Sequence, residues 1–364
     1  MNDRTPSKPL DLIASADLAT PMAIRVAATL RLADLISSGR TRLAELATAA
    51  GAEPDALRRL LRFLTCRGLF TEPERDVYAM NPPAYLLRSN APMGLHPWLD
   101  LQGMAGRMEL TFTGLLDSVR TGAPVYEGLY GQPFWDDIGA DPDRVASFDA
   151  LMAANAEWFG PGVADGYDWA SVRHVVDVGG GRGELLRRLL TAHPGLRGTL
   201  VDQPDTAAKA RELIRAAGLD GRCDVVEGSF FDPLPDGGDV YVLANVLHDW
   251  SDARALTILR RCARAGGERG RVLLVEWILG AGPAEEQATL VDLRMLTLMG
   301  GRERTLDEVG GLAAAAGLSV RSATPTAAGL VLVECVSSDA AEPVPDRSFP
   351  ADRSVPAAGA GDPP

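Results

Sequence analysis

Lysine is almost missing from this chain. Of its 36 basic residues, Lys8 and Lys209 are the only lysines and the rest are arginine. Together with abundant alanine and glycine, this reads as the mark of a GC-rich source and says nothing about function. Cysteine is scarce as well. The four, Cys66, Cys223, Cys262 and Cys335, form no CxxC pair, which favours free core thiols over a disulfide frame or a zinc site. Positive charge is in deficit: the net charge is -13 and the isoelectric point about 4.9. Such a chain repels phosphate backbones, which argues against a nucleic-acid partner. No apolar run reaches the ~18 residues of a membrane span, so no membrane partner is expected. The opening MNDRTPSKPLD is not a basic-then-apolar leader, and the expected location is cytoplasmic.

What is present is globular. Hydrophobic residues make up 46% of 364 and charged residues 23%, enough for about two domains of ~100–200 residues each. Residues 1–10 are polar and read as loose. Apolar side chains recur at helical spacing over 11–36, 42–50 and 54–67, with Pro54 at a helix start. GLFTEPERDVYAMNP then reads as strand, turn and strand. Helices followed by a two-stranded wing resemble a winged helix. Residues 41–90 carry seven arginines against six acids, without the basic face of a DNA reader. A mostly helical, winged-helix-like dimerisation domain over 11–90 fits better. Residues 91–170, rich in Met and aromatics, read as a helical linker and substrate-pocket region.

From 171 to 338 the texture is that of an α/β domain. The strands HVVDV, GTLVD, CDVVEG, DVYVLANV and RVLLVEWIL alternate with helical stretches, as in a parallel sheet built of βαβ units. Too few residues separate the last two strands for a parallel crossover, so the final strand must run antiparallel in a hairpin. A parallel sheet closed in this way is Rossmann-like but unlike a dinucleotide-binding domain. Residues 339–364 have little to bury and read as a disordered tail.

The loop Asp177-Val178-Gly179-Gly180-Gly181-Arg182-Gly183 follows the first of these strands and opens a helix, where an open α/β sheet binds its ligand. A dinucleotide fingerprint would need glycine where Glu184 stands. A pyrophosphate also avoids a nearby carboxylate. A ligand bearing an ammonium and a sulfonium would instead welcome Asp177, and S-adenosylmethionine is such a ligand. Asp202 closes the second strand and can accept from both ribose hydroxyls. Ser229 and Phe230, after the third strand, can meet the adenine edge and face.

Further motifs are LANVLHDWSD at 243–252, VEWIL at 275–279 and GGRERT at 300–305. With DVGGGRG and GSFFDPLP, these resemble the S-adenosylmethionine-dependent, metal-independent small-molecule O-methyltransferases. That family methylates phenols of plant phenylpropanoids and bacterial aromatic polyketides. The resemblance covers roughly 11–336 and implies a class I methyltransferase sheet with S-adenosylmethionine as cofactor. It also implies a homodimer whose N-terminal domain contributes to the pocket of a small aromatic hydroxyl substrate. His248 matches the family's general base, and Glu276 and Glu303 the carboxylates that bracket it. Asp177, Gly179, Gly181, Asp202, Ser229 and Phe230 match cofactor positions. Ser229 stands where plant members have an acid, and Ala244 where they have a lysine. Phe148, Met152 and Met295 match acceptor-pocket positions, with Trp250 and Met299 beside them.

Elementary chemistry agrees with that implication. A phenol of pKa ~10 is mostly neutral at pH 7, so a base titrating near 7 helps, and histidine is the natural one. His248 follows the fourth strand and Glu276 ends the fifth, on one rim of the sheet. Asp249 and Asp252 read as first-turn acids of the next helix, and no cluster of oxygen ligands for Mg²⁺ or Ca²⁺ is apparent. Two other functions remain open at this stage. One is a same-scaffold enzyme with a non-methylating reaction, a hydroxylase or decarboxylase; the other is a winged-helix regulator.

Overall fold

The computed structural model describes residues 12–91, 94–280 and 284–340. The loose segment expected over 1–10 and nearly all of the expected tail lie outside these residues. The N-terminal helices form because their apolar positions share a face and their ends are capped. In Pro54–Cys66, proline takes the first turn, the Glu53 carboxylate accepts from the amides of Asp55 and Ala56, and Leu57, Leu61 and Leu64 are buried. Those leucines pack with Leu32, Leu46, Phe70 and Tyr78 in a core of their own. Strands β1 (Thr71–Glu74) and β2 (Val77–Ala79) pair antiparallel as the wing. A capped helix of 25 residues, Pro142–Gly166, leads from the middle region to the sheet.

The large sheet contains β3 (His174–Val178), β4 (Arg197–Asp202), β5 (Cys223–Glu227), β6 (Val240–Ala244) and β7 (Arg271–Glu276). These five run parallel. Two further elements, β8 (Ile278–Leu279) and β9 (Arg304–Thr305), form a separate two-residue parallel ladder. Strands β10 (Leu318–Pro325) and β11 (Val331–Ser337) make the antiparallel hairpin that the short connection demanded, and the sheet order is β10-β11-β7-β6-β3-β4-β5. Side chains alternate between two cores. Val175, Val242, Leu273 and Val275 pack towards the helices Pro142–Gly166 and Glu184–Ala192. Val176, Leu243, Val272 and Leu274 pack towards Asp252–Gly266 and Leu306–Ala315.

Two expectations need correction. RVLLVEWIL is not one strand: β7 ends at Glu276, and the chain resumes at Ile278 to pair with Arg304. The break carries the GGRERT segment back to the end of β7. Of the four cysteines, Cys223, Cys262 and Cys335 are buried, but Cys66 is exposed at the last turn of its helix.

Candidate active site

The turn after β6 carries His248. Asn245 starts it with a left-handed backbone (φ 51°), a conformation that asparagine tolerates better than most residues. Glu276 then shapes the turn from the sheet side: its Oε1 accepts from the amides of Val246 and Leu247 at 3.0 and 2.8 Å. From the opposite side, the amide of Arg302 donates to the His248 carbonyl at 2.8 Å. The buried Arg304 guanidinium donates to the carbonyls of Leu247 and Trp250 at 2.9 and 2.8 Å and pairs with Asp252. Sequence reasoning missed this clamp. Its signal was present in RERT, whose second arginine is too polar to be buried without several acceptors.

The structure brings His248, Glu276 and Glu303 together. His248 Nδ1 lies 2.7 Å from Glu303 Oε1 and 3.6 Å from Glu276 Oε2, and all three residues are buried. Asp249 belongs to the same cluster, with Oδ1 3.3 Å from His248 Nε2. It is therefore not a first-turn helix acid; that role falls to Asp252. Burial drives the imidazole towards its neutral form, but the charges of Glu303, Asp249 and Glu276 outweigh it and raise His248 to about 10. The expected value near 7 neglected these buried carboxylates. Burial likewise raises Glu276, against the pull of His248, and holds Asp249 at about 6.

His248, Glu276 and Glu303 each offer a ligand atom, and these atoms lie within 4.8 Å of one another. Only part of this donor set is engaged, since Glu276 Oε2 is buried without a hydrogen-bond partner among the described residues. Nδ1 faces Glu303, and one Glu276 oxygen is held by two amides.

On the neighbouring strands, the glycine loop leaves β3 with Gly179, Gly181 and Gly183 all at positive φ. Asp202 Oδ2 accepts from the Gly181 amide at 2.8 Å, which ties the loop to the end of β4. Asp177 is buried, and its Oδ2 has no partner among the described residues. Burial, then the charges of Asp202 and Glu184, raise it to about 7. Burial also raises Asp202 to about 6. Two carboxylates held this way beside a bare glycine backbone suit a cationic ligand with hydroxyls to donate, which S-adenosylmethionine is. Phe230 packs against the loop so closely that a Cβ on Gly179 would lie 3.3 Å from its ring. Ser229 Oγ accepts from the Phe231 amide at 3.2 Å, so it is partly committed to its own turn.

His248 and Asp249 also line a cavity of about 1020 Å³ together with Phe148, Met152, Met295 and Met299. Trp98, Phe134, Trp135, Trp158 and Trp277 add aromatic surface to a wall of mixed apolar and polar residues. Trp250 is not in this wall. It lines a smaller adjoining cavity of about 240 Å³ and stacks on Trp135 at 6.3 Å. Asn245 does line the main cavity, and its Oδ1 is buried without a partner among the described residues.

This fold and this pair of adjoining sites are those of a class I methyltransferase. Comparison with known proteins agrees. An O-methyltransferase domain model matches residues 112–319, and an O-methyltransferase dimerisation domain model matches 13–90. The chain is 52% identical over 316 residues to a 2,7-dihydroxy-5-methyl-1-naphthoate 7-O-methyltransferase of Streptomyces carzinostaticus, covering 87% of this chain and 94% of that one. It is 46% identical to an aclacinomycin 10-hydroxylase of Streptomyces purpurascens, covering 88% and 90%. Among solved structures it resembles an O-methyltransferase from neocarzinostatin biosynthesis in complex with S-adenosylmethionine and 2-hydroxy-5-methyl naphthoic acid. The TM-score is 0.84 at 50% identity, with 91% of this chain and 100% of that one covered. The chain belongs to the O-methyltransferase family and is an S-adenosylmethionine-dependent O-methyltransferase.

The place of Asp202 beside the glycine loop leads to a measurable expectation. Asp202→Ala should weaken S-adenosylhomocysteine binding by about 1.5–3 kcal/mol, the range for hydrogen bonds to a charged group. Calorimetry that finds unchanged affinity would remove Asp202 from the site.

Proposed function

We propose that this enzyme methylates a phenolic hydroxyl of a fused-ring aromatic metabolite, with His248 as general base. The observation that carries the reading is His248 itself. Its Nδ1 is fixed by Glu303, and the residue borders a large cavity whose wall includes Phe134, Trp135, Phe148 and Trp277. The family resemblance and the relatives' aromatic acceptors support the acceptor class.

Asp177, Gly179, Gly181, Asp202, Ser229 and Phe230 would hold S-adenosylmethionine, which supplies an electrophilic methyl group. The protein's part is to aim, to take a proton and to keep water away. Phe148, Met152 and Met295 pack the acceptor ring, which fixes the approach of its hydroxyl; positioning of this kind supplies up to ~7–11 kcal/mol. His248 accepts the hydroxyl proton at Nε2 while Nδ1 stays on Glu303. The Glu276 and Glu303 charges stabilise the imidazolium that results.

Purified protein with S-adenosylmethionine and hydroxynaphthoic acids should give a product heavier by one CH₂, also in the presence of EDTA. A product heavier by one oxygen atom instead would favour the reaction of the hydroxylase relative. Restoration of an EDTA-sensitive rate by Mg²⁺ would overturn the metal-free reading.

The same reading includes a homodimer built on 11–90, a helical linker and pocket region over 91–170, and a catalytic domain over 171–338. Leu12, Ile13 and Leu18 are at least 70% exposed at the start of the described chain and offer apolar side chains to a second copy. Light scattering at micromolar concentration should report two chains per particle, and a stable monomer would contradict it. Four free cysteines fit a reducing compartment and the cytoplasmic location. No described helix is long and apolar enough to cross a membrane.

A further inference from the structure

Among the described residues that line the main cavity, Arg294 is the sole arginine or lysine. It projects from the helix Glu285–Leu298, where Val291 and Met295 line the same wall. Its Nε and Nη2 both donate to Glu109 Oε1, at 3.1 and 2.7 Å. The other Glu109 oxygen accepts from Arg25 Nη2 at 2.8 Å. Arg25 Nη1 in turn donates to the carbonyl of Trp98, another cavity residue, at 2.9 Å. One carboxylate thus serves two guanidiniums, and the triad keeps a surplus positive charge. Arg294 Nη1 has no hydrogen-bond partner among the described residues, and the Arg294 side chain is only 15% exposed. The acidic residues that line the cavity are Glu157, which is paired with Arg187 and Arg188, and Asp249, which lies against His248.

A guanidinium that is largely desolvated, held rigid on one edge and charged in excess is suited to a planar anion. The pairing also lowers the cost of keeping that charge out of water. We propose that Arg294 is the specificity residue of this enzyme and receives a carboxylate substituent of the aromatic acceptor, with Glu109 and Arg25 holding the guanidinium in place. The proposal rests on the reading of the acceptor as aromatic. It adds that the preferred acceptor carries a second, anionic group besides the hydroxyl that is methylated.

The test compares 1,4-dihydroxy-2-naphthoic acid with its carboxamide, which has nearly the same shape but no charge. Both binding, by calorimetry on the S-adenosylhomocysteine complex, and turnover are measured. Wild type should prefer the acid by at least about tenfold, the scale of a charge-assisted hydrogen bond. Arg294→Gln should abolish that preference by weakening the acid alone, raising its KM with little change in kcat. Glu109→Gln, which enlarges the charge surplus, should retain the preference. Absence of an acid preference in wild type, or equal losses on acid and amide in Arg294→Gln, would overturn the proposal and leave Arg294 a structural brace. If wild type methylates neither compound but binds the acid in an Arg294-dependent way, the aromatic-acceptor reading fails and the anion site stands. If wild type and Arg294→Gln methylate acid and amide equally well, the anion site fails and the acceptor reading stands.

Discussion

His248→Ala should lower turnover by ~10²–10⁴, the contribution of a positioned general base, and leave S-adenosylhomocysteine affinity unchanged. The size of the loss depends on the acceptor. A weakly acidic phenol needs its proton removed, whereas a hydroxyl on a quinone is already ionised at neutral pH. Two acceptors of different acidity therefore separate the roles. A large loss on the weaker acid and a smaller loss on the stronger one identify a base; equal, minor losses on both would reduce His248 to packing. The pH profile adds a second readout. Because the carboxylates hold the imidazole at about 10, its neutral, proton-accepting form is scarce at pH 7 and grows as pH rises. Wild-type kcat/KM should thus climb through and above neutrality, and the alanine variant should lose that limb. A cationic cofactor opposes the imidazolium, so the corresponding limb of kcat should lie at lower pH.

Gly301→Ala should cost about 10²-fold in kcat without touching any reacting group. A Cβ at Gly301 would lie 2.0 Å from the His248 carbonyl oxygen and within 2.9 Å of the Asp249 backbone. All of these are main-chain atoms of the turn that carries the base, so the turn must move. Displacements near 1 Å at a catalytic group carry losses of that order. Cofactor affinity should survive, because the glycine loop belongs to other strands. Gly310→Ala is the control, since nothing lies within 4 Å of a Cβ there. A Gly301→Ala enzyme with wild-type kcat would show that the clamp on His248 is slack.

Much of this site was legible before any coordinates. HVVDV, GTLVD and DVYVLANV are strands buried on both faces, and such strands read as continuous apolar runs. The hairpin followed from a connection too short to cross over, and His248, Glu276 and Glu303 followed from motif position. What stayed hidden depends on residues distant in sequence. The break after Glu276 exists because Ile278 finds Arg304. Asp249 read as a first-turn acid because, with Asp252, it flanks a helix start, while the position of the imidazole beside it is set by tertiary packing. Glu109 and Arg294 are 185 positions apart, and no local pattern reports such a pairing. The basicity of His248 was misjudged in part for the same reason: Glu276 and Glu303 reach it from two distant segments and join Asp249 of its own turn.

The division of labour between segments bears on how such an enzyme is redesigned. The proposed base, its clamp and the glycine loop all sit at the ends of β3, β4, β6 and β7 or by the β8–β9 ladder. The wall of the proposed acceptor cavity comes mostly from the helices of 96–166 and 285–298. Saturation libraries confined to Phe148, Met152, Val291 and Met295 can therefore change which ring system fits while the proton-transfer machinery stays intact. Asp292 must be kept out of such libraries: it shares a helix with two of those positions, but its Oδ1 accepts from the Glu303 amide at 2.9 Å. An acceptor-swapping campaign that treated the whole helix as pocket wall would dismantle the support of the base along with the old specificity.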